Sequence, residues 1–107
     1  MEFSISTNTN SNMARKVTKE VVGAFIARQP KTSGNTKTNG QSLFLHGNRI
    51  AHWGPDGELE ISTCGWHTPT TKERLNALPG VNVHTSKGQL YLNGQPWDGN
   101  WTVVKNN

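Results

Sequence analysis

Residues 43–61 read LFLHGNRIAHWGPDGELEI, and this stretch decides the fold of the chain. Three short apolar segments are separated by two turn signals, Gly47-Asn48 and the Gly-Pro-Asp-Gly sequence of residues 54–57. Both signals favour tight connections between antiparallel strands. The stretch therefore predicts three strands joined as a meander.

Pairing outward from each turn predicts which side chains of the meander share a face. A two-residue loop at Gly47-Asn48 places Leu45 opposite Ile50, and a loop over residues 54–57 places Ile50 opposite Ile61. Both pairings give the same apolar face, although they start from different turns. The predicted members of that face are Leu43, Leu45, Ile50, Leu59 and Ile61, with His52 at its margin. The opposite face is predicted to carry Phe44, Ala51, Trp53, Glu58 and Glu60.

An amphipathic helix is predicted before the meander, over residues 15–30. Val21 and Phe25 recur at helical spacing, and Pro30 ends the pattern because the residue before a proline is disfavoured in the α region. Residues 1–14 are rich in Ser, Thr and Asn and are predicted to be a disordered tail. Its first twelve residues are interpreted as an upstream extension or a cloning remnant, ahead of a second start at Met13. Residues 31–41 show no periodicity and are predicted to be a flexible linker.

A second, shorter helix is predicted after the meander. Thr70 and Glu73 form a capping-box pattern, in which each side chain satisfies a free backbone N–H at the start of the helix. Leu75 and Leu78 would face inward. Because a helix of about two turns is not stable alone, we expect it to lie across the apolar face of the meander.

The remaining segment predicts a β-hairpin over residues 81–92. The Asn93-Gly94 turn then returns the chain through residues 95–97 as an edge segment, and a final short strand over residues 101–104 is left open. The predicted fold class is α+β in the order α-β-β-β-α-β-β, with residues 42–104 as a small α+β domain.

Composition limits the class of protein further. The chain has 107 residues, of which 32% are hydrophobic, so it forms one small domain. Its one cysteine, Cys64, cannot form an internal disulfide and fits a reducing compartment. No apolar run approaches the roughly 18 residues of a membrane span, and the first residues are unlike a secretory signal. We therefore expect a soluble intracellular protein with no membrane partner.

The excess positive charge lies wholly in the N-terminal part. Residues 1–41 carry six Lys and Arg against two Glu, whereas residues 42–107 carry five basic and five acidic residues. Basic side chains on a short helix and a flexible segment suit phosphate contacts, and the alternative is an ordinary solvated surface. The candidate nucleic-acid-binding residues are Arg15, Lys16, Lys19, Arg28, Lys31, Lys37 and Arg49.

Four tryptophans are many for such a short chain. Trp66, Trp97 and Trp101 are predicted to supply the core that the scarce aliphatic residues cannot fill. Phe44 and Trp53 lie on the predicted face opposite the apolar one, so either the C-terminal hairpin covers them or they form an aromatic binding patch. The candidate protein-binding residues are Phe44, Trp53 and Trp97.

Neither a metal site nor a catalytic site is predicted. Cys64 and His67 have ligand-like spacing, but His46 and His52 fall on different faces of the meander, so four ligands would not converge. No cofactor motif or carboxylate pair of catalytic type occurs. The chain is therefore predicted to be no enzyme and to bind no cofactor or metal, with catalysis by Cys64 as a third hypothesis.

Several segments together resemble a group of small proteins of tailed bacteriophages to which no activity is attached. They are residues 43–51 (LFLHGNRIA), Gly65-Trp66, residues 70–78 (TTKERLNAL) and residues 91–99 (YLNGQPWDG), and the resemblance covers about residues 13–101. It implies expression in the cytoplasm of a bacterial host.

The α-β-β-β-α order is also similar to that of a double-stranded-RNA-binding domain. However, Lys72 and Arg74 flank Glu73 here, where such domains have clustered lysines. The leading hypothesis is a non-enzymatic phage protein that binds nucleic acid through its basic N-terminal segment. The alternative is a module that inhibits or modulates a host protein, and the sequence leaves its oligomeric state open.

Overall fold

The computed structural model describes residues 9–104 of the chain, and the side chains of residues 15–104. It confirms an α+β fold with antiparallel strands. In chain order the elements are α1 (Thr9–Ile26), β1 (Pro30–Ser33), β2 (Thr36–Asn39), β3 (Ser42–Leu45), β4 (Asn48–Trp53), β5 (Leu59–Ile61), α2 (Pro69–Asn76), β6 (Val83–Ser86), β7 (Gln89–Leu92), β8 (Gln95–Pro96) and β9 (Thr102–Val104).

The strands form two antiparallel sheets. The larger has the order β1-β2-β3-β4-β5-β9, and the smaller has the order β6-β7-β8. The final short strand is therefore present as β9, which forms one edge of the larger sheet, and β8 is an edge of the smaller one. Helix α1 packs against one face of the larger sheet, which we call the inner face, and the other is the outer face.

A single core joins the helices and both sheets. The five residues predicted for the apolar face of the meander are all buried, at most 4% exposed, and pack with Val21, Val22 and Phe25 of α1. Each such side chain contributes about 1.5–3 kcal/mol by leaving water. The N-terminal helix is thus part of the folded domain, because its apolar stripe is what covers the inner face.

The predicted registers of both meander hairpins are wrong, the first by two residues at its turn and the second by one residue. The first loop is His46-Gly47, with φ of 53° and 80°, and Leu45 pairs with Asn48. Positive φ at both loop residues is the type I′ geometry that matches the twist of the strands. In the second hairpin the Gly54 N–H donates to the Glu58 carbonyl, so that Trp53 pairs with Leu59.

A β-bulge in β4 keeps the apolar face intact despite the shifted registers. Phe44 pairs with Arg49, but Leu43 pairs with Ala51, so Ile50 is the extra residue. Ile50 and Ala51 are both buried, at 1% and 0% exposed. For the β4 residues after the bulge, the inner and outer faces are exchanged relative to the prediction. His52 therefore lies on the outer face, and Ala51 and Trp53 lie on the inner side.

Residues 31–41 are not a flexible linker. Strands β1 and β2 form a hairpin that extends the larger sheet beside β3. Thr36 and Thr38 lie on the inner face of β2 and are 0% and 2% exposed. Both hydroxyls make hydrogen bonds within the protein. The Thr38 hydroxyl donates to the Ser42 carbonyl at 2.7 Å, and the Thr36 hydroxyl donates to the Asn35 side chain at 2.7 Å. Hydrogen bonding lets this polar strand be buried.

Helix α1 differs from its prediction at both ends. It starts at Thr9, inside the segment predicted as a tail, of which residues 1–8 lie outside the described residues. It ends at Ile26 in a Schellman motif, with Arg28 at φ 62° and its N–H donating to the Phe25 carbonyl at 3.1 Å. Gly40 packs on this helix end, since a Cβ there would lie 2.8 Å from the Arg28 carbonyl oxygen.

The cap of α2 is Thr68 rather than Thr70. The Thr71 N–H donates to the Thr68 hydroxyl at 3.2 Å, and Pro69 is the first helical residue. A proline suits that position, because its missing N–H would have no partner in the helix. Leu75 and Leu78 face the core as predicted.

A buried guanidinium joins α2 to the rest of the molecule. Arg74 is 3% exposed, and its Nε donates to the Thr36 hydroxyl at 2.9 Å. Its Nη1 donates to Thr18 at 2.6 Å and to the Glu73 carboxylate, and its Nη2 donates to Asn35 at 3.3 Å. Arg74 thereby connects both helices to the β1–β2 hairpin.

Candidate nucleic-acid interface

Three adjacent strands place two cations beside an aromatic ring on the outer face. Phe44 of β3 pairs with Lys37 of β2 on one side and with Arg49 of β4 on the other. The Lys37 ammonium lies 5.9 Å and the Arg49 guanidinium 6.0 Å from the centroid of the Phe44 ring. Lys37 and Arg49 are exposed, and Phe44 is half-buried. We call these three residues the outer-face cluster.

A second group of side chains lies farther along the outer face. His52 of β4 pairs with Glu60 of β5, and its Nε2 lies 2.9 Å from the Glu60 carboxylate. The Trp101 ring packs over the imidazole with centroids 4.6 Å apart and is 43% exposed. His52 Nδ1 is buried and has no hydrogen-bond partner among the described residues. The outer face thus has a basic end and an end where the His52–Glu60 pair sits under an aromatic ring.

The structure does not bring the seven predicted basic residues together. Arg15, Lys16 and Lys19 are exposed on α1, so the sheet lies between them and the outer face. The Arg28 guanidinium stacks 4.4 Å from the centroid of the Trp53 ring, and Lys31 is exposed on the edge strand β1. Only two of the seven, Lys37 and Arg49, converge on one aromatic group.

The predicted protein-binding residues have three different surroundings. Phe44 belongs to the outer-face cluster. Trp53 stacks on Phe25 with centroids 5.0 Å apart and donates its Nε1–H to the Phe25 carbonyl at 3.1 Å. Trp97 is 7% exposed and donates to the Thr102 hydroxyl at 2.8 Å. Of the three, only Phe44 lies on the outer face. Trp53 packs against α1, and Trp97 is buried in the core.

The prediction that Trp66 and Trp101 fill the core is wrong. They are 58% and 43% exposed, whereas the core contains Trp97 and the α1 residues Val21, Val22 and Phe25. Trp66 follows Cys64 and Gly65, whose φ angles are 54° and 81°. That pair of left-handed residues turns the chain outward. Gly65 was the one sequence signal for this exposure.

The cysteine and histidines are dispersed. Among the described residues, no group of three or more His, Cys, Asp or Glu side chains is placed to hold a metal ion. Cys64 is exposed, and its thiol donates to the Arg49 carbonyl at 2.5 Å. This contact fixes the loop after β5 to strand β4.

The fold and the outer-face cluster define a small α+β protein with a basic, aromatic sheet surface. The chain belongs to the Kyanoviridae Gp96 protein family, whose model matches residues 14–105. It is therefore a bacteriophage protein, as the resemblance indicated. No curated protein and no solved structure shows significant similarity to it. Within residues 9–104, neither helix has the length and apolar character needed to cross a membrane.

Proposed function

We propose that this phage protein binds single-stranded nucleic acid in the cytoplasm of its bacterial host and catalyses no reaction. The observation that carries the proposal is the line of Lys37, Phe44 and Arg49 across three neighbouring strands. An aromatic ring between two cations on an open sheet offers a stacking surface for a base and charges for the phosphates on either side.

The geometry favours a single strand over a duplex. Stacking on Phe44 requires a base whose face is free, and base pairs in a duplex hide their faces in the stack. Both cations lie near the ~6 Å outer limit of attraction to an aromatic ring. Lys37 and Arg49 can therefore turn from Phe44 towards phosphates at little cost.

The basic residues of α1 have a lesser role in this proposal. Arg15, Lys16 and Lys19 add positive charge on the far side of the sheet from Phe44. Charge at that distance raises the rate of encounter with a polyanion without fixing its position. The N-terminal segment thus assists binding, and the outer face holds the strand.

Binding to a host protein is the second candidate function. Val103 of β9 is 42% exposed, and Trp101, which directly precedes this edge strand of the larger sheet, is 43% exposed. Exposed apolar side chains beside a free edge suit the addition of a strand from a partner.

Fluorescence anisotropy tests the proposal with labelled DNA and RNA of about 12 nucleotides, within the range that single sheet modules cover. We expect tighter binding to single strands than to duplexes. Phe44→Ala should lower the affinity by roughly 5- to 150-fold, which corresponds to about 1–3 kcal/mol of stacking per base. Val103→Ala, on the same face outside the cluster, is the matched control.

Two results would contradict the proposal. One is the absence of binding at low salt. The other is an unchanged affinity for single strands in Phe44→Ala. Recovery of one stoichiometric host protein, lost in Val103→Asp but kept in Phe44→Ala, would favour the second candidate function.

A further inference from the structure

A cavity of about 350 Å³ lies at the end of the larger sheet, between the β3–β4 turn and the start of α2. Leu45 and Ile50 supply apolar lining, and the exposed Trp66 stands at the cavity. Asn48 and Thr70 add a carboxamide and a hydroxyl. Its size is at the lower end of the range for small-molecule sites, enough for one flat heterocycle with its sugar.

The cavity lies on the inner side of the sheet, near the β3–β4 turn, because Leu45, Ile50 and Asn48 are inner-face residues. Asn48, in its lining, is followed directly by Arg49, which lies on the outer face. The Trp66 loop is fixed to the same strand, because the Cys64 thiol donates to the Arg49 carbonyl. Within the loop, the Trp66 N–H donates to the Thr63 carbonyl at 2.9 Å. A strand that lies on Phe44 therefore reaches the cavity by turning around this end of the sheet, past the β3–β4 turn.

We infer that this cavity accepts one unpaired base of the bound strand, an inference that rests on the proposed function. The Trp66 indole offers a π face for stacking, at 58% exposure. The Asn48 carboxamide both donates and accepts hydrogen bonds, as the polar edge of a base requires.

The lining also distinguishes a base from a phosphate. Among the described residues, no Lys, Arg, Asp or Glu lines the cavity, and His46 is the one titratable side chain in its lining. An uncharged heterocycle therefore suits it better than a phosphate group, which would lose its hydration without gaining a fixed charge. The phosphates remain with Lys37 and Arg49 outside.

The test combines NMR with affinity measurements on the intact chain. Trp66→Phe assigns the indole N–H signal of Trp66 among the four tryptophans. We expect this signal to shift when single strands of about 12 nucleotides are added, and to shift less with strands that lack bases. Trp66→Ala should weaken binding by roughly 5- to 150-fold. It should also reduce the difference in affinity among strands made of one base type.

A comparison of two sites separates this inference from the proposed function. A variant with both Lys37→Gln and Arg49→Gln should weaken binding to every strand alike and keep the base preference. Thr70→Val and Asn48→Ala should change the preference. If Trp66→Ala retains wild-type affinity and base preference, the inference is wrong, whereas the outer-face proposal stands. If the wild-type chain binds no single strand, both are wrong.

The base in the cavity could also belong to a free nucleotide, and a separate titration distinguishes this case from a base of a bound strand. Nucleoside 5′-monophosphates shift the Trp66 signal weakly, or not at all, if the cavity serves a strand held by Lys37 and Arg49. A strong shift with a monophosphate and none with the strands would overturn the inference. Trp66 is exposed, so these variants should fold, and far-UV circular dichroism checks that they do.

Discussion

The two faces of the larger sheet use alternate residues of the same strands for different tasks. On the inner face, Leu43 of β3 is 0% exposed and packs in the core. On the outer face, its neighbour Phe44 is half-buried and flanked by Lys37 and Arg49. The inner face is closed by α1, whereas no described element packs over Lys37 and Arg49. One face therefore fixes the fold, and the other is free to meet a ligand.

The inner face also has a polar part, where Arg74 donates to the Thr36 hydroxyl. Substitution of Arg74 is expected to cause the largest loss of unfolding free energy. Arg74→Ala should destabilise the protein by about 2–6 kcal/mol, because it removes the donor to two buried hydroxyls, those of Thr18 and Thr36, at about 1–3 kcal/mol each. Lys72→Ala is the control. Lys72 lies on the same helix, and its ammonium donates to the Thr85 hydroxyl of β6 at the surface. Loss of the Lys72 side chain should lower the unfolding free energy by less than about 1 kcal/mol. Urea unfolding followed by circular dichroism measures both, and equal losses would contradict this role for Arg74.

Neighbouring substitutions on β3 test the two faces directly. Leu43→Ala should cost about 2–5 kcal/mol of unfolding free energy, since it leaves a cavity in a packed core. Phe44→Ala should cost less, about 1–2 kcal/mol, because only part of its ring is buried, yet it should remove most of the nucleic-acid affinity. If the two variants lose equal stability, the division between the faces is wrong.

The meander shows how far the sequence could predict these faces. Alternation of Leu43 and Leu45, and of Leu59 and Ile61, gave the correct buried set. The positions of His52 and Trp53 were wrong, because a bulge at Ile50 adds one residue. Simple alternation contains no signal for a bulge, so the faces predicted for the β4 residues beyond it, Ala51, His52 and Trp53, were reversed.

Polar burial explains the other failures of prediction. Thr36 and Thr38 alternate with Lys37 and Asn39, but the hydrophobic pattern gives threonine little weight. Their burial depends on hydroxyl partners that only the folded chain brings together. Arg74 likewise reads as an exposed residue of a short helix until α1 and the β1–β2 hairpin surround it. The outer-face cluster was missed for the same reason, since Lys37 was placed in a linker.

A smaller effect is expected at the other end of the outer face. Glu60→Gln removes the carboxylate beside His52 and should change the unfolding free energy by less than about 1 kcal/mol. Because it also removes a negative charge from the proposed binding face, affinity for single strands should rise by a few-fold at low salt. Anisotropy titrations measure the affinity. An unchanged affinity would show that the strand does not extend to this end, and a fall would contradict the prediction.

The salt dependence of binding tests the central claim most directly. Two double variants remove the same charge from opposite sides of the sheet: Lys37→Gln with Arg49→Gln on the outer face, and Arg15→Gln with Lys19→Gln on α1. If the outer face holds the strand, the first variant should lower the slope of log affinity against log salt by about 1.4, at about 0.7 per phosphate contact. The second should leave the slope nearly unchanged. The reverse result, with the slope lost in the α1 variant and kept in the outer-face variant, would contradict the account.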